Sequence, residues 1–209
     1  MKQKSGERTL LASVLLSSPG PIVVGLGLFF GRSSTQLADF IRRTAELVAI
    51  IVSWAVYGLT HKGGNFDPAR KIHLERIANL CVGMAMCLGG VAMLLIAFFS
   101  PGGETGNVIP GLVIAILGVI TNSWFWIRYR ALDRVNPNAI LAVQSRLYRA
   151  KSLVDTCVTI ALITVAVAPG SAAAYYMDLI GSAVVAVYLM VNGAITVYRQ
   201  KAVPSSAPN

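Results

Sequence analysis

Charge is scarce in this chain. Only 13% of its 209 residues are Asp, Glu, Lys or Arg, against roughly 25% in ordinary soluble domains, which excludes a water-facing globule. Cysteine is scarcer still. Cys81, Cys87 and Cys157 all sit inside apolar runs, a placement that fits packing residues and implies neither a disulfide frame nor a zinc knuckle. Histidine occurs only as His61 and His73, both in one polar connection, where they read as solvated surface groups. No Ser/His/Asp set, phosphate loop or nucleotide fingerprint is present, so neither an enzyme nor a cofactor is expected. Acidic residues number nine against eighteen basic ones, giving a net charge of +9. The placement of that charge points to membrane orientation, with no nucleic acid partner implied.

What the chain has instead is apolar length. Hydrophobic residues make up 55% of it, enough for six crossings at roughly 20 residues each. The expected spans are Leu10 to Phe30, Leu37 to Leu59, Ile72 to Phe99, Val108 to Tyr129, Leu141 to Val167 and Leu179 to Tyr198. The fold class is therefore all-α, a six-helix transmembrane bundle in a cell inner membrane or plasma membrane. The basic start Met1-Lys2-Gln3-Lys4 looks like a signal sequence, but no small-x-small cleavage site follows and the first span is read as retained. Ser17-Ser18-Pro19-Gly20-Pro21 predicts a kink within it. Lys2, Lys4, Arg8, Lys62, Arg70, Lys71, Arg76, Arg128, Arg130, Arg134, Arg199 and Lys201 fall on one side of the spans, and Arg32 alone on the other. Both termini are accordingly expected in the cytosol. Residues 1–201 form one transmembrane domain in this reading, 202–209 a disordered tail, and no C-terminal cytosolic domain is expected.

Asp39, Glu46 and Asp155 remain inside the bilayer, together with Arg42, Arg43, Arg146, Arg149 and Lys151. Span 2 carries Asp39, Arg42, Arg43 and Glu46 at i, i+3, i+4 and i+7, which a helix gathers on one face. A charge at the bilayer centre costs on the order of 3 kcal/mol, so such a face belongs against partners or a water-filled cavity. Span 5 offers a matching stripe: Gln144, Tyr148, Lys151, Asp155 and Thr159. Glu46 and Asp155 each lie roughly 18 Å below the outer end of their helices at about 1.5 Å per residue, so they can meet near the midplane. Asp178 reads as an N-cap for span 6. Ala85-x-x-x-Gly89 and Gly111-x-x-x-Ala115 permit close helix contact within a protomer or across a homodimer.

The order of these features resembles the transmembrane domain of the cation diffusion facilitator family, proton-coupled efflux carriers for zinc and related divalent cations. The resemblance rests on Ala38-Asp39 early in span 2, Asp67-Pro68 through His73-Leu74-Glu75, Asn122 in span 4, and Asp178-Leu179-Ile180-Gly181-Ser182 at span 6. It implies a secondary transporter exchanging a divalent cation for protons. At the positions where the family pairs metal ligands on helices 2 and 5, this chain has Arg42-x-x-x-Glu46 and Lys151-x-x-x-Asp155. Arginine has no lone pair for a metal and lysine must first lose a proton, so zinc should bind weakly there. The transport-site candidates are Asp39, Arg42, Glu46, Lys151 and Asp155. Asp39, Glu46 and Asp155 are the best cation ligands among them. The alternatives are a non-transporting scaffold or partner subunit locked by salt bridges, and a carrier for another solute.

Overall fold

The computed structural model describes residues 2–30, 34–62, 67–99, 109–168 and 171–201. The regular elements among the described residues are helices: α1 (Lys2–Ser17), α2 (Pro19–Phe30), α3 (Ser34–Lys62), α4 (Pro68–Phe99), α5 (Ile109–Val135), α6 (Ala139–Val167) and α7 (Ala172–Lys201). Helices α1 and α2 follow one another with a break at Ser18 and count as one interrupted span. The architecture is a six-helix transmembrane bundle. The expected tail at 202–209 lies outside the described residues, as do the side chains of Asp39 and Asp178.

Local chemistry explains where the helices start and stop. Pro19 disfavours helical backbone at the residue before it and is itself well suited to the first position of a helix. Ser18 ends α1 with its N–H donated to the Val14 carbonyl at 3.0 Å and its hydroxyl to the Leu15 carbonyl at 2.9 Å. Pro68 likewise opens α4, and the Asp67 carboxylate accepts the Ala69 N–H at 3.1 Å. Asn138 caps α6 by accepting the N–H groups of Ile140 and Leu141. It also donates from Nδ2 to Glu75 Oε1 at 3.3 Å, while its own N–H reaches Asp133 Oδ1 at 3.1 Å. One corner thereby ties α4, α5 and α6 together.

Two boundaries differ from expectation. Helix α1 reaches back to Lys2, two turns before the apolar run. Helix α7 begins at Ala172, so Asp178 stands inside the helix and is not its N-cap. The cause is the run Ala172-Ala173-Ala174: alanine has the highest helix propensity and nucleates the helix upstream of the acid.

Phe40–His61, Pro68–Leu95, Leu112–Val135 and Leu179–Gln200 are long and apolar enough to cross a membrane. Their outer faces carry exposed Ile114, Leu117, Ile120 and Ile127 on α5 and Val184, Val187 and Val191 on α7. Faces of that kind are at home against lipid. Helices α1, α3, α4, α7, α6 and α5 pack in a ring in that order, α1 closing it against α5, with α2 laid on α3. Helix α4 also touches α6 across the ring, whereas α3 meets α6 only sparsely. The closest seam joins α4 to α7. A Cβ on Gly90 would lie 2.8 Å from the Ala186 carbonyl oxygen, and one on Gly193 2.7 Å from that of Gly83. Backbones approach this closely only where side chains are missing. Gly89, from the expected Ala85/Gly89 pair, faces α3 instead.

Candidate functional site

Helical spacing puts Arg42 and Glu46 one turn apart on α3, and Lys151 and Asp155 one turn apart on α6. The structure brings the first three together. Glu46 is 5% exposed. Its Oε1 accepts from Arg42 Nη1 at 3.2 Å and its Oε2 lies 3.3 Å from Lys151 Nζ. Both carboxylate oxygens are thus occupied by cations, one from its own helix and one from across the ring. Lys151 Nζ also lies 5.2 Å from the centre of the Tyr148 ring, a favourable position for a cation over an aromatic face. Gly89 lets α4 close over the pair, because a Cβ there would already sit 3.4 Å from Arg42 Cγ and 3.8 Å from Glu46 Oε1. This bridge spans α3 and α6, which otherwise meet only sparsely.

Asp155 has a different environment. Its Oδ2 accepts from Asn122 Nδ2 of α5 at 2.6 Å, and no ion pair to it is seen among the described residues. Gly118, one turn before Asn122, makes the room, since a Cβ there would fall 2.6 Å from the same oxygen. Ser123 and Ser152, whose hydroxyls are 2.6 Å apart, extend the polar α5–α6 seam. The two membrane carboxylates are therefore treated unequally. Glu46 is clamped by two cations, while Asp155 is held by one neutral amide. Among the described residues, no three of His, Cys, Asp and Glu come together as a metal-binding group.

The other intramembrane bases go elsewhere. Arg43 turns toward α2, where a Cβ on Gly20 would lie 3.3 Å from its Nη1. Arg149 is exposed, its guanidinium 5.5 Å from the centre of the Tyr188 ring. His73 is exposed, but His61 is not the solvated group expected. It is half-buried and stacks on Tyr57 with ring centres 4.1 Å apart, and its Nδ1 lies 2.9 Å from the Tyr57 carbonyl oxygen. The reason is that α3 runs on through Lys62 and carries His61 onto the helix surface one turn beyond Tyr57.

A second polar seam escaped the sequence reading. Ser5, Thr9, Ser13 and Ser17 repeat every fourth residue along α1; α5 and α6 meet the hydroxyls of Ser5, Ser13 and Ser17, while that of Thr9 donates to the Ser5 carbonyl at 2.8 Å. Arg128 donates to Ser5 Oγ at 2.9 Å, Tyr129 Oη donates to Ser13 Oγ at 2.7 Å and to the Thr9 carbonyl at 3.3 Å, and Ser17 Oγ lies 3.3 Å from Tyr148 Oη. The rings of Phe125, Tyr129 and Tyr148 pack together behind these contacts. The i, i+4 recurrence of hydroxyls was the available signal. Hydroxyls in membrane helices commonly bond their own backbone, as Ser53, Thr60, Thr156 and Thr196 do here, so the recurrence alone named no partner.

Two comparisons with known proteins bear on identity. No individual curated protein matches the chain at a significant level. The family described as the cation efflux transmembrane domain matches residues 10–199, which takes in every helix from the middle of α1 to the end of α7. The match covers almost the whole of the six-span bundle, so the chain belongs to the cation efflux family and is a multi-pass membrane cation transporter.

Proposed function

We propose that this protein is a secondary carrier that exchanges a cation for protons, with Asp155 as the exchanging group and Arg42–Glu46–Lys151 as a fixed internal salt bridge. The observation that supports this reading is the unequal treatment of the two carboxylates. Both oxygens of Glu46 already face cations at 3.2 and 3.3 Å, which leaves a divalent ion little reason to enter. Asp155 gives up only one amide hydrogen bond when a cation or proton arrives. Asp39, one turn from Arg42 and Arg43 on α3, is the further carboxylate the carrier can use. Arg42 and Lys151 serve as permanent counter-ions, replacing charge that family members take from the metal.

Flux of divalent and monovalent cations into proteoliposomes, with internal pH followed by a trapped dye, tests the proposal. Cation-driven proton movement should be abolished by Asp155→Asn and retained, at reduced rate, by Gly118→Ala, which crowds the same oxygen. Absence of any cation-driven flux in the native protein would favour the other reading, a non-transporting subunit in which the same charges act as a structural lock. That reading draws on the complete pairing of Glu46.

A further inference from the structure

Three arginines toward one end of the bundle take no part in the site. Arg146 and Arg149 stand seven and ten residues beyond Ala139, where α6 begins, or roughly 10 and 15 Å along it at about 1.5 Å per residue, and Arg199 stands two residues before the end of α7. Arg149 and Arg199 are exposed and Arg146 is half-buried. Among the described residues, none of the three makes a hydrogen bond or an ion pair. The seam between α6 and α7 gathers them. A Cβ on Gly181 would lie 3.6 Å from Cys157 Cβ, and the Arg149 guanidinium lies 5.5 Å from the centre of the Tyr188 ring. Eight residues back along α6 thus match seven forward along α7, as antiparallel helices require. The same register sets Arg146 level with Val191 and Asn192, and Arg199 lies beyond them on the stripe of α7 that carries Gly181 and Tyr188.

Side chains on a helix lean toward its own N-terminus. Because α6 and α7 run in opposite directions, Arg146 and Arg149 lean toward the helix ends where Arg199 stands, and Arg199 leans back toward them. The charge of Arg199 opposes that of Arg146, and Asp133 at the end of α5 is the one acid among the described residues that favours it. The Asp133 carboxylate also accepts the Asn138 N–H at 3.1 Å. Three cations therefore share one groove with a single carboxylate at its edge. Arginine keeps its proton and presents a planar fork of donors suited to phosphate oxygens. A charge open to lipid at this depth is costly unless it reaches the headgroups or meets an anion there. The flanks of the groove point to where that anion comes from. Leu153 and Ile160 continue the exposed stripe of Arg149 along α6, and Val184 and Val191 are exposed beside Tyr188 on α7. Such walls suit acyl chains, and a phosphate ion from water has no use for them. A zwitterionic headgroup would bring its own ammonium among three cations, which favours a lipid of net negative charge.

We propose that Arg146, Arg149 and Arg199 hold the phosphate of one anionic phospholipid in the groove between α6 and α7, with its acyl chains along Leu153, Ile160, Val184 and Val191. The lipid belongs to the leaflet at the end of the bundle where α6 starts and α7 finishes. The Tyr188 ring under Arg149 keeps that guanidinium in the groove. The site stands on the α6–α7 groove alone and does not depend on the carrier reading.

Native mass spectrometry of the whole protein in detergent, titrated with phosphatidylglycerol or with phosphatidylcholine of the same acyl chains, tests the site. The first phosphatidylglycerol should bind about tenfold or more tightly than the first phosphatidylcholine. Arg146→Gln with Arg149→Gln should weaken that first phosphatidylglycerol about thirtyfold, at about fivefold per arginine. Arg130→Gln with Arg134→Gln removes two exposed charges from α5 at the same end of the bundle and should weaken it less than about threefold. If the first double variant does not fold, Arg149→Gln alone, at an exposed position, replaces it with a loss of about fivefold expected. Inorganic phosphate at about 10 mM should leave the lipid bound, since it cannot cover the apolar walls. Equal affinity for the two lipids, an equal loss from the α5 pair, no loss on removing Arg149, or displacement of phosphatidylglycerol by inorganic phosphate overturns the proposal. Lipid retention is read without any transport assay, so a lipid-binding protein that moves no cation would count against the carrier reading alone.

Discussion

At the scale of single residues, the site turns on which charges face which. Removing one member of a buried ion pair typically costs about 3 to 5 kcal/mol, because the other charge is left uncompensated, while removing both is milder. Lys151→Met and Glu46→Gln should each destabilise the protein strongly, and the double substitution should cost clearly less than the two singles together. Thermal unfolding in detergent measures this, and additive effects would mean that the 3.3 Å contact contributes nothing. The same charges set the expectation for zinc. Arg42 lacks a lone pair and repels the ion, and the Lys151 ammonium is engaged with Glu46. Calorimetry should therefore find negligible zinc binding to the native chain. Measurable binding should follow from Arg42→Asp with Lys151→His, which restores two ligands per helix one turn apart and removes two positive charges. Tight zinc binding by the native protein that survives loss of His61 and His73 would place the ligands elsewhere.

At the scale of helices, α1 is held by hydrogen bonds as much as by apolar contact. Leu10 and Gly6 pack inward, Gly6 against the Tyr57 ring of α3. The hydroxyl face one side over meets α5 and α6 through Arg128, Tyr129 and Tyr148. A phenol that donates inside a bundle contributes about 1 kcal/mol net, and removing it leaves its buried acceptor unsatisfied. Tyr129→Phe should lower stability by about that amount. Ser13→Ala should cost less, since Tyr129 Oη keeps the Thr9 carbonyl within reach at 3.3 Å. Contacting partners share their loss, so the double variant should fall short of additivity by roughly 0.5 kcal/mol or more. Full additivity in detergent unfolding would mean that the 2.7 Å bond between them adds nothing to stability.

At the scale of the whole molecule, the six crossings were legible because a run of some 20 apolar residues matches the thickness of a bilayer and little else in a protein needs one. That the charges of spans 2 and 5 face one another was legible because charge at mid-membrane depth must find charge, but spacing leaves open which cation faces Glu46. Nor was the partner of Asp155 legible. Asn122 faces it only through the rotation of α5 against α6 and the space left by Gly118, neither of which spacing along one helix encodes. The start of α7 was not legible either, because an acidic residue suggests a cap while three alanines upstream set the boundary. Orientation across the membrane is a property of the whole chain and follows from the distribution of Lys and Arg. If twelve of them lie on the cytosolic side and Arg32 alone outside, the corner formed by Glu75, Asp133 and Asn138 faces the cytosol, as do both termini. A single cysteine at Gly63, placed in a chain whose own three cysteines are replaced, should react with an impermeant thiol reagent only after the membrane is opened. One at Thr105 should react in intact cells. Exchange of the two patterns would invert the bundle, and the corner formed by Glu75, Asp133 and Asn138 would then lie on the outer side of the Glu46–Lys151 pair.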